Sequence, residues 1–273
     1  MVLGKDYIKD DTGVVFKPDR NYNRIISLAP SITEILFSLG LGKKVVGVTN
    51  YCDYPIIAKN LPKIGGFINP NIEKIISLTP DLIIGTTDGN SKEIISKLRK
   101  LKQTVLIFNL SNIKDINRTI KLIGDITGRE KEAGQQIESI ESAIKEIKNK
   151  TKDLSNPKVF YIVGLYPLIT VSSGSYVDDL IATVGGINIA KNSYIRYPKY
   201  PIETLIENNP DIIIITEMTK NDKIIYKEFM AKFKKYFNEN KIKIIDSDLV
   251  NRPGPRIVEG LKVMAKIIHP EIF

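Results

Sequence analysis

Four stretches of this chain gather aromatic and polar side chains into short runs broken by proline or glycine. They are Thr49-Asn-Tyr-Cys-Asp-Tyr-Pro55, Gly65-Gly-Phe-Ile-Asn-Pro70, Tyr194-Ile-Arg-Tyr-Pro-Lys-Tyr-Pro201 and Asp246-Ser-Asp-Leu-Val-Asn-Arg-Pro-Gly-Pro-Arg256. Tyrosine and phenylalanine in such loops offer a large apolar contact for little lost rotamer entropy. The chemistry they suit is non-covalent capture of a bulky planar ligand. Tyr51 and Tyr54 flank Asp53, which opens a phenolate iron site as an alternative, although one packed and one exposed tyrosine is the commoner outcome.

Bond-making chemistry finds little support. Gly-x-Gly-x-x-Gly, the Walker phosphate loop and Gly-x-Ser-x-Gly are all absent, which leaves a cytoplasmic α/β enzyme as a disfavoured competitor. The single histidine, His269, stands four residues from the end beside Pro270, where a surface position is expected. The single cysteine, Cys52, excludes an internal disulfide and any multi-cysteine metal site, and reads as inert. No catalytic residue, metal ligand set or cofactor is assigned.

A repeat supplies a second kind of signal. Ile72-Glu-Lys-Ile-Ile-Ser-Leu-Thr-Pro-Asp-Leu-Ile-Ile84 returns 130 positions later as Ile202-Glu-Thr-Leu-Ile-Glu-Asn-Asn-Pro-Asp-Ile-Ile-Ile214, with seven of thirteen positions identical. Each copy reads as a short helix with a glutamate, Glu73 or Glu203, in its first turn. A Pro-Asp break follows, and then an apolar run fit for a buried strand. The glutamates favour the helix dipole on their own account. The Pro-Asp pairs are expected to end helices and begin strands, with no part in a site.

The elements around these residues alternate. Asp10-Asp-Thr-Gly13 predicts the turn of an opening hairpin. Strands are predicted at Arg24 to Leu28, Val45 to Val48, Leu82 to Gly85 and Thr104 to Phe108. Ser31 to Gly40 predicts a helix with a Ser-x-x-Glu capping box and a terminal glycine. Further helices are predicted over Asn71 to Leu78, Ser91 to Leu101 and Asn112 to Thr127. From Arg129 to Thr151 the apolar residues Ala133, Ile137, Ile140, Ile144 and Ile147 recur at helical spacing, which predicts one long amphipathic helix. Beyond it, strand patterns at Lys158 to Gly164, Ile212 to Thr216 and Ile242 to Ile245 rebuild the same alternation. Helices over Tyr176 to Gly185 and Arg256 to Ile268 complete it. The predicted organisation is an α/β lobe over residues 1–128, a connecting helix over 129–152 and a second α/β lobe over 153–273.

Bulk properties agree with two lobes of ordinary size, at 273 residues with 42% hydrophobic and 26% charged content. The net charge of +9 comes from 40 basic residues scattered among 31 acids, with no basic run longer than two, so no nucleic-acid partner is expected. No apolar stretch approaches the roughly 20 residues of a membrane-spanning helix. The opening Met1-Val-Leu-Gly-Lys-Asp6 lacks the apolar core of a secretion signal, so compartment has to be argued from elsewhere.

Arg24-Ile-Ile-Ser-Leu-Ala-Pro-Ser-Ile-Thr-Glu-Ile-Leu36, Val46-Gly-Val-Thr-Asn-Tyr-Cys-Asp-Tyr-Pro55, the two Glu/Pro-Asp units and Arg252-Pro-Gly-Pro-Arg256 together resemble the substrate-binding proteins of cobalamin and iron-chelate ABC importers. The resemblance runs in order over about residues 6–268. It implies an α/β fold of two similar lobes with mostly parallel central sheets, joined by one long α-helix, with a ligand cleft between the lobes. It also implies an extracytoplasmic, monomeric carrier that delivers its ligand to a permease dimer. The family's cobalamin pattern places cleft aromatics on Tyr51, Phe67 and Tyr197 and polar contacts on Asp248 and Arg252. Phe67 and Tyr197 stand where that pattern has tryptophan, and the chain has no tryptophan. Ferric siderophore or haem is the runner-up ligand. The family's docking glutamates, which meet permease arginines, fall on Glu73 and Glu203.

Overall fold

The computed structural model describes residues 7–17, 21–217 and 224–272, which fall into two compact units. The first holds residues 1–110 and 114–139, the second 111–113 and 140–273.

In the first unit the Asp10-Asp-Thr-Gly13 turn joins β1 (Ile8–Lys9) to β2 (Val15–Phe16) in antiparallel register, Ile8 opposite Phe16. The runs that follow are apolar at nearly every position, as strands covered on both faces must be. They give β3 (Ile25–Ser27), α1 (Pro30–Ser38), β4 (Val45–Val48), α2 (Ile72–Ser77), β5 (Leu82–Thr86), α3 (Lys92–Lys100), β6 (Val105–Phe108) and α4 (Ile113–Thr127). The sheet is parallel throughout, in the order β4-β3-β5-β6. Its core gathers Ile26, Leu28, Ile75, Ile83, Leu98 and Ile107.

The predicted capping box at Ser31 does not form. Pro30 occupies the first helical position, so the N-cap moves two residues back, from Ser31 to Ala29, which has no side-chain hydrogen bond. Ser31 and Glu34 are buried inside the helix. Proline is suited to that first position because its missing N–H would have no helical partner there.

The long helix α5 (Glu130–Thr151) spans 22 residues, and its boundary between the units falls after Ser139. Ala133, Ile140 and Ile147 are buried along one stripe, with Ile137 and Ile144 half-buried beside them.

The second unit repeats the pattern with β7 (Lys158–Ile162), α6 (Tyr176–Thr183), β10 (Ile187–Asn188), α7 (Ile202–Asn208), β11 (Ile212–Glu217), α8 (Ile224–Phe233), β12 (Ile242–Asp246), α9 (Ser247–Val250) and α10 (Ile257–Ile268). A small hairpin of β8 (Gly164–Leu165) and β9 (Leu168–Ile169) is inserted after β7. The sheet is again all parallel, in the order β10-β7-β11-β12. Renumbered within each unit, the two strand orders are the same, second-first-third-fourth. Among the described residues no helix is long and apolar enough to cross a membrane.

The repeated joints match in conformation and bonding. Thr79 and Asn209 adopt positive φ (44° and 39°) just before Pro80-Asp81 and Pro210-Asp211. The Asp81 carboxylate accepts the N–H groups of Asn23 and Arg24 at 2.7 and 3.0 Å, and Asp211 accepts that of Lys158 at 2.7 Å. Each aspartate thus pins the entry of the neighbouring strand, β3 or β7, to the start of β5 or β11.

His269 departs from its expected surface position. It is fully buried at the end of α10, with Nε2 2.9 Å from the carbonyl oxygen of Val184 and Nδ1 3.3 Å from Glu271 Oε1.

Candidate ligand-binding site

Parallel sheets meet ligands outside the carboxyl ends of their strands, where loops and helix N-termini gather. In each unit the aromatic loops lie on that side. In the first, β4 ends at Val48 and Thr49-Asn-Tyr-Cys-Asp-Tyr-Pro55 follows. Asn50 donates its N–H to the Gly65 carbonyl at 2.9 Å, joining this loop to the one that carries Phe67. Lys63 Nζ reaches the carbonyls of Cys52 and Ala58 at 2.9 and 3.1 Å, and Thr49 Oγ1 lies 3.1 Å from the buried Cys52 Sγ. The loop is therefore held from below, and Tyr51 and Tyr54 stand 60% and 44% exposed on it.

Phe67 is half-buried. Its ring lies across Gly89, where an added Cβ would come within 2.0 Å of the ring edge, and Gly89 has φ +106°. The neighbouring Asn90 is buried and works in three directions. Its Oδ1 accepts the Thr86 N–H at 2.8 Å, and its Nδ2 donates to the carbonyls of Leu28 at 3.0 Å and Phe67 at 2.8 Å. One side chain thereby ties the ends of β3 and β5 to the backbone of Phe67.

In the second unit Tyr197 is 47% exposed on a strapped ribbon. The carbonyls on either side of it, of Arg196 and Pro198, accept the N–H groups of Ser172 and Thr170 at 3.0 and 3.1 Å. Ser172 Oγ also donates to the Ile195 carbonyl at 2.7 Å. A cavity of about 490 Å³ opens beside the same loop, lined by Ser173, Asp178, Lys191, Asn192, Ser193 and Tyr194.

Asp248 and Arg252 follow β12. The predicted loop Asp246 to Arg256 folds its first part into α9, because the Asp246 carboxylate caps the Asp248 N–H at 3.0 Å. Asp248 and Arg252 are paired with each other, Oδ1 to Nη2 at 2.8 Å. Arg256 donates to the Asp248 carbonyl at 3.2 Å.

Behind α9 stands Tyr161, fully buried on β7, its hydroxyl donating to Asn251 Oδ1 at 2.9 Å. Burial holds its ionisation well above the ordinary tyrosine range, and the nearby Tyr176 and Tyr197 raise it further.

Glu73 and Glu203 are both exposed at the second position of their short helices, α2 and α7. Asn71 caps α2 by accepting the Lys74 N–H at 2.9 Å, whereas α7 starts from Pro201 with no side-chain cap.

Residues 25–248 match the sequence profile of the family described as periplasmic binding protein. The chain belongs to the periplasmic binding protein family. This binding protein is 32% identical to the ABC transporter substrate-binding lipoprotein YvrC of Bacillus subtilis, over 92% of the present chain and 81% of YvrC. It superposes on the crystal structure of the periplasmic vitamin B12 binding protein BtuF of Vibrio cholerae with a TM-score of 0.81. Identity there is 26%, with 91% of this chain and 97% of that one covered. A possible iron-binding periplasmic solute-binding protein of Staphylococcus epidermidis gives a TM-score of 0.77 at 30% identity, covering 91% and 99% of the two chains. The binding protein is therefore a carrier rather than an enzyme. It works outside the cytoplasm on a small-molecule ligand, with an ABC transporter permease as its partner.

Within each unit, the structure brings several expected residues together. Tyr51 and Phe67 stand on adjoining loops of the first unit. Asp248 and Arg252 form one ion pair in the second, where Tyr197 also lies. Sequence reasoning missed Asn90, Tyr161 and Asn251. The one available signal for Tyr161 was its hydroxyl, the only polar tip inside the apolar run Val159-Phe-Tyr-Ile162.

Proposed function

We propose that this binding protein captures cobalamin or a related corrinoid and delivers it to the permease dimer of an ABC importer. The observation that carries the reading is the combination of large exposed aromatics with an ion-paired aspartate and arginine. Tyr51 and Tyr197 are 60% and 47% exposed on braced loops, and Asp248 and Arg252 form an ion pair at 2.8 Å. Exposed aromatic surface of this kind marks a binding face. A bulky ring with uncharged amide arms suits it better than a polyanion, which would draw Arg252 away from Asp248. Tyr51, Phe67 and Tyr197 would contact the ring, and Asp248 and Arg252 its polar periphery. The B12-binding relative supports the same ligand class.

A second reading is haem or a ferric siderophore, favoured by the exposed phenols of Tyr51, Tyr54 and Tyr197. Incubation of the protein with cyanocobalamin, haemin and ferric siderophores, followed by gel filtration and absorbance of the protein peak, separates the two. Co-elution of haemin or a siderophore without cyanocobalamin overturns the corrinoid assignment.

Glu73 and Glu203 would dock one on each permease subunit, since charge-assisted arginine-carboxylate pairs orient as well as attract. The double variant Glu73→Ala/Glu203→Ala should lose stimulation of the importer's ATPase while still binding ligand. Unchanged stimulation removes the glutamates from the docking role.

A further inference from the structure

Four residues are too few for a helix to hold itself together, because forming the first turn fixes several residues for a single hydrogen bond. The position of α9 therefore comes from its surroundings. Asp246 caps the Asp248 N–H, Asn251 donates its N–H to the Ser247 carbonyl at 2.7 Å, and Val250 is fully buried. From α10, Gly260 lets the Leu249 carbonyl approach so closely that an added Cβ would lie 2.5 Å from it. From β7, the Tyr161 hydroxyl takes Asn251 Oδ1 at 2.9 Å.

Phenylalanine would fill the space of Tyr161 equally well. A buried hydroxyl has to be hydrogen-bonded to offset its desolvation, and its partner here is a surface-exposed asparagine flanked by residues 248 and 252. We infer that Tyr161 is a positioning residue of the binding site, fixing α9 through Asn251 so that the Asp248–Arg252 pair is preorganised for the ligand. The inference rests on the reading that this pair contacts the chelate. Its physical basis is that a binding group held in place by its neighbours spends less of its contact energy on being ordered.

The test has a ligand-free arm and a binding arm. In the ligand-free protein, Tyr161→Phe should speed amide hydrogen exchange at Asn251 by about tenfold, the scale of one lost hydrogen bond, while amides of β11 keep their rates. In the binding arm, Tyr161→Phe should weaken cyanocobalamin about tenfold, yet change affinity less than about twofold in an Arg252→Ala background, because both act through one element. Unchanged exchange at Asn251 overturns the inference, as do losses that multiply across the two substitutions. Asn251→Ala removes the same bond from the exposed side and serves if Tyr161→Phe does not fold. If the wild-type protein binds no cyanocobalamin, the corrinoid reading fails. The exchange arm still decides the positioning role, and the binding arm is repeated with haemin.

Discussion

Replacing Asn90 tests how the first unit holds its aromatic loop. Asn90→Ala deletes three hydrogen bonds and strands two groups of fully or almost fully buried residues, the Thr86 N–H and the Leu28 carbonyl. The Phe67 carbonyl lies in a loop that water can reach. An orphaned buried backbone group costs about 1–3 kcal/mol, so two of them set a loss of about 3 kcal/mol once partial hydration of the vacated space is allowed. For a protein of this size that corresponds to a fall in melting temperature of about 6–12 °C. Urea unfolding followed by far-UV circular dichroism measures it. Asn90→Asp is the sharper variant, since it keeps the acceptor for Thr86 but turns a carboxyl toward two carbonyl oxygens. Its folded pKa must rise above the unfolded value of about 3.9, so its favourable contribution is present below that value and lost as pH rises through the folded pKa. Relative to wild type, Asn90→Asp should be closer to native stability near pH 4 than at pH 7. A loss below about 1 kcal/mol for Asn90→Ala, or the opposite pH order for Asn90→Asp, refutes the three-way tie.

Other consequences are equally direct. Tyr51→Ala and Tyr197→Ala should each weaken capture of the bound chelate about tenfold with little change in melting temperature, because both side chains are largely exposed; a spectrophotometric titration reads this. Asp81→Ala should destabilise more than Asp211→Ala, by about 1 kcal/mol in thermal melts, since Asp81 holds two strand-entry N–H groups against the one held by Asp211. Tyr161 is held protonated by burial, so its contribution to stability is intact below the ordinary tyrosine pKa of about 10 and is lost as pH climbs through the raised folded value. Urea midpoints between pH 9 and 11 should therefore fall less steeply in Tyr161→Phe. His269→Ala should cost about 2–4 kcal/mol by opening a cavity and freeing the Val184 carbonyl, measurable by the same unfolding assay.

The periodic parts of the fold were legible in the chain. β4 spans Val45–Val48 as its apolar run predicts, and the stripe from Ala133 to Ile147 marks α5 to within a residue of its start. The repeat announced two like units because its proline and aspartate punctuate helix and strand by local sterics. What stayed hidden was set by tertiary contact. Nothing near His269 in sequence says that α10 carries it beneath Val184. Nor does Asp246-Ser-Asp-Leu-Val250 advertise a helix, because α9 depends on Gly260 and Tyr161, one downstream and one nearly ninety residues upstream. At the candidate site, residue types pointed to the aromatic loops, and the family resemblance picked out Tyr51, Phe67 and Tyr197 within them. The braces beneath them, Asn90, Lys63 and Ser172, carry no pattern that a linear reading could single out.

Among the described residues, the Asp81 and Asp211 carboxylates of the two Pro-Asp joints accept from backbone N–H groups at the entry of β3 and β7, whereas Lys63, Asn90 and Ser172 brace the loops that carry Tyr51, Phe67 and Tyr197. Under the proposed function, sheet assembly and ligand capture would therefore be written in separate stretches of chain. On that reading, substitutions in the aromatic loops would change which ligand is held while leaving the strand-entry bonds of Asp81 and Asp211 in place.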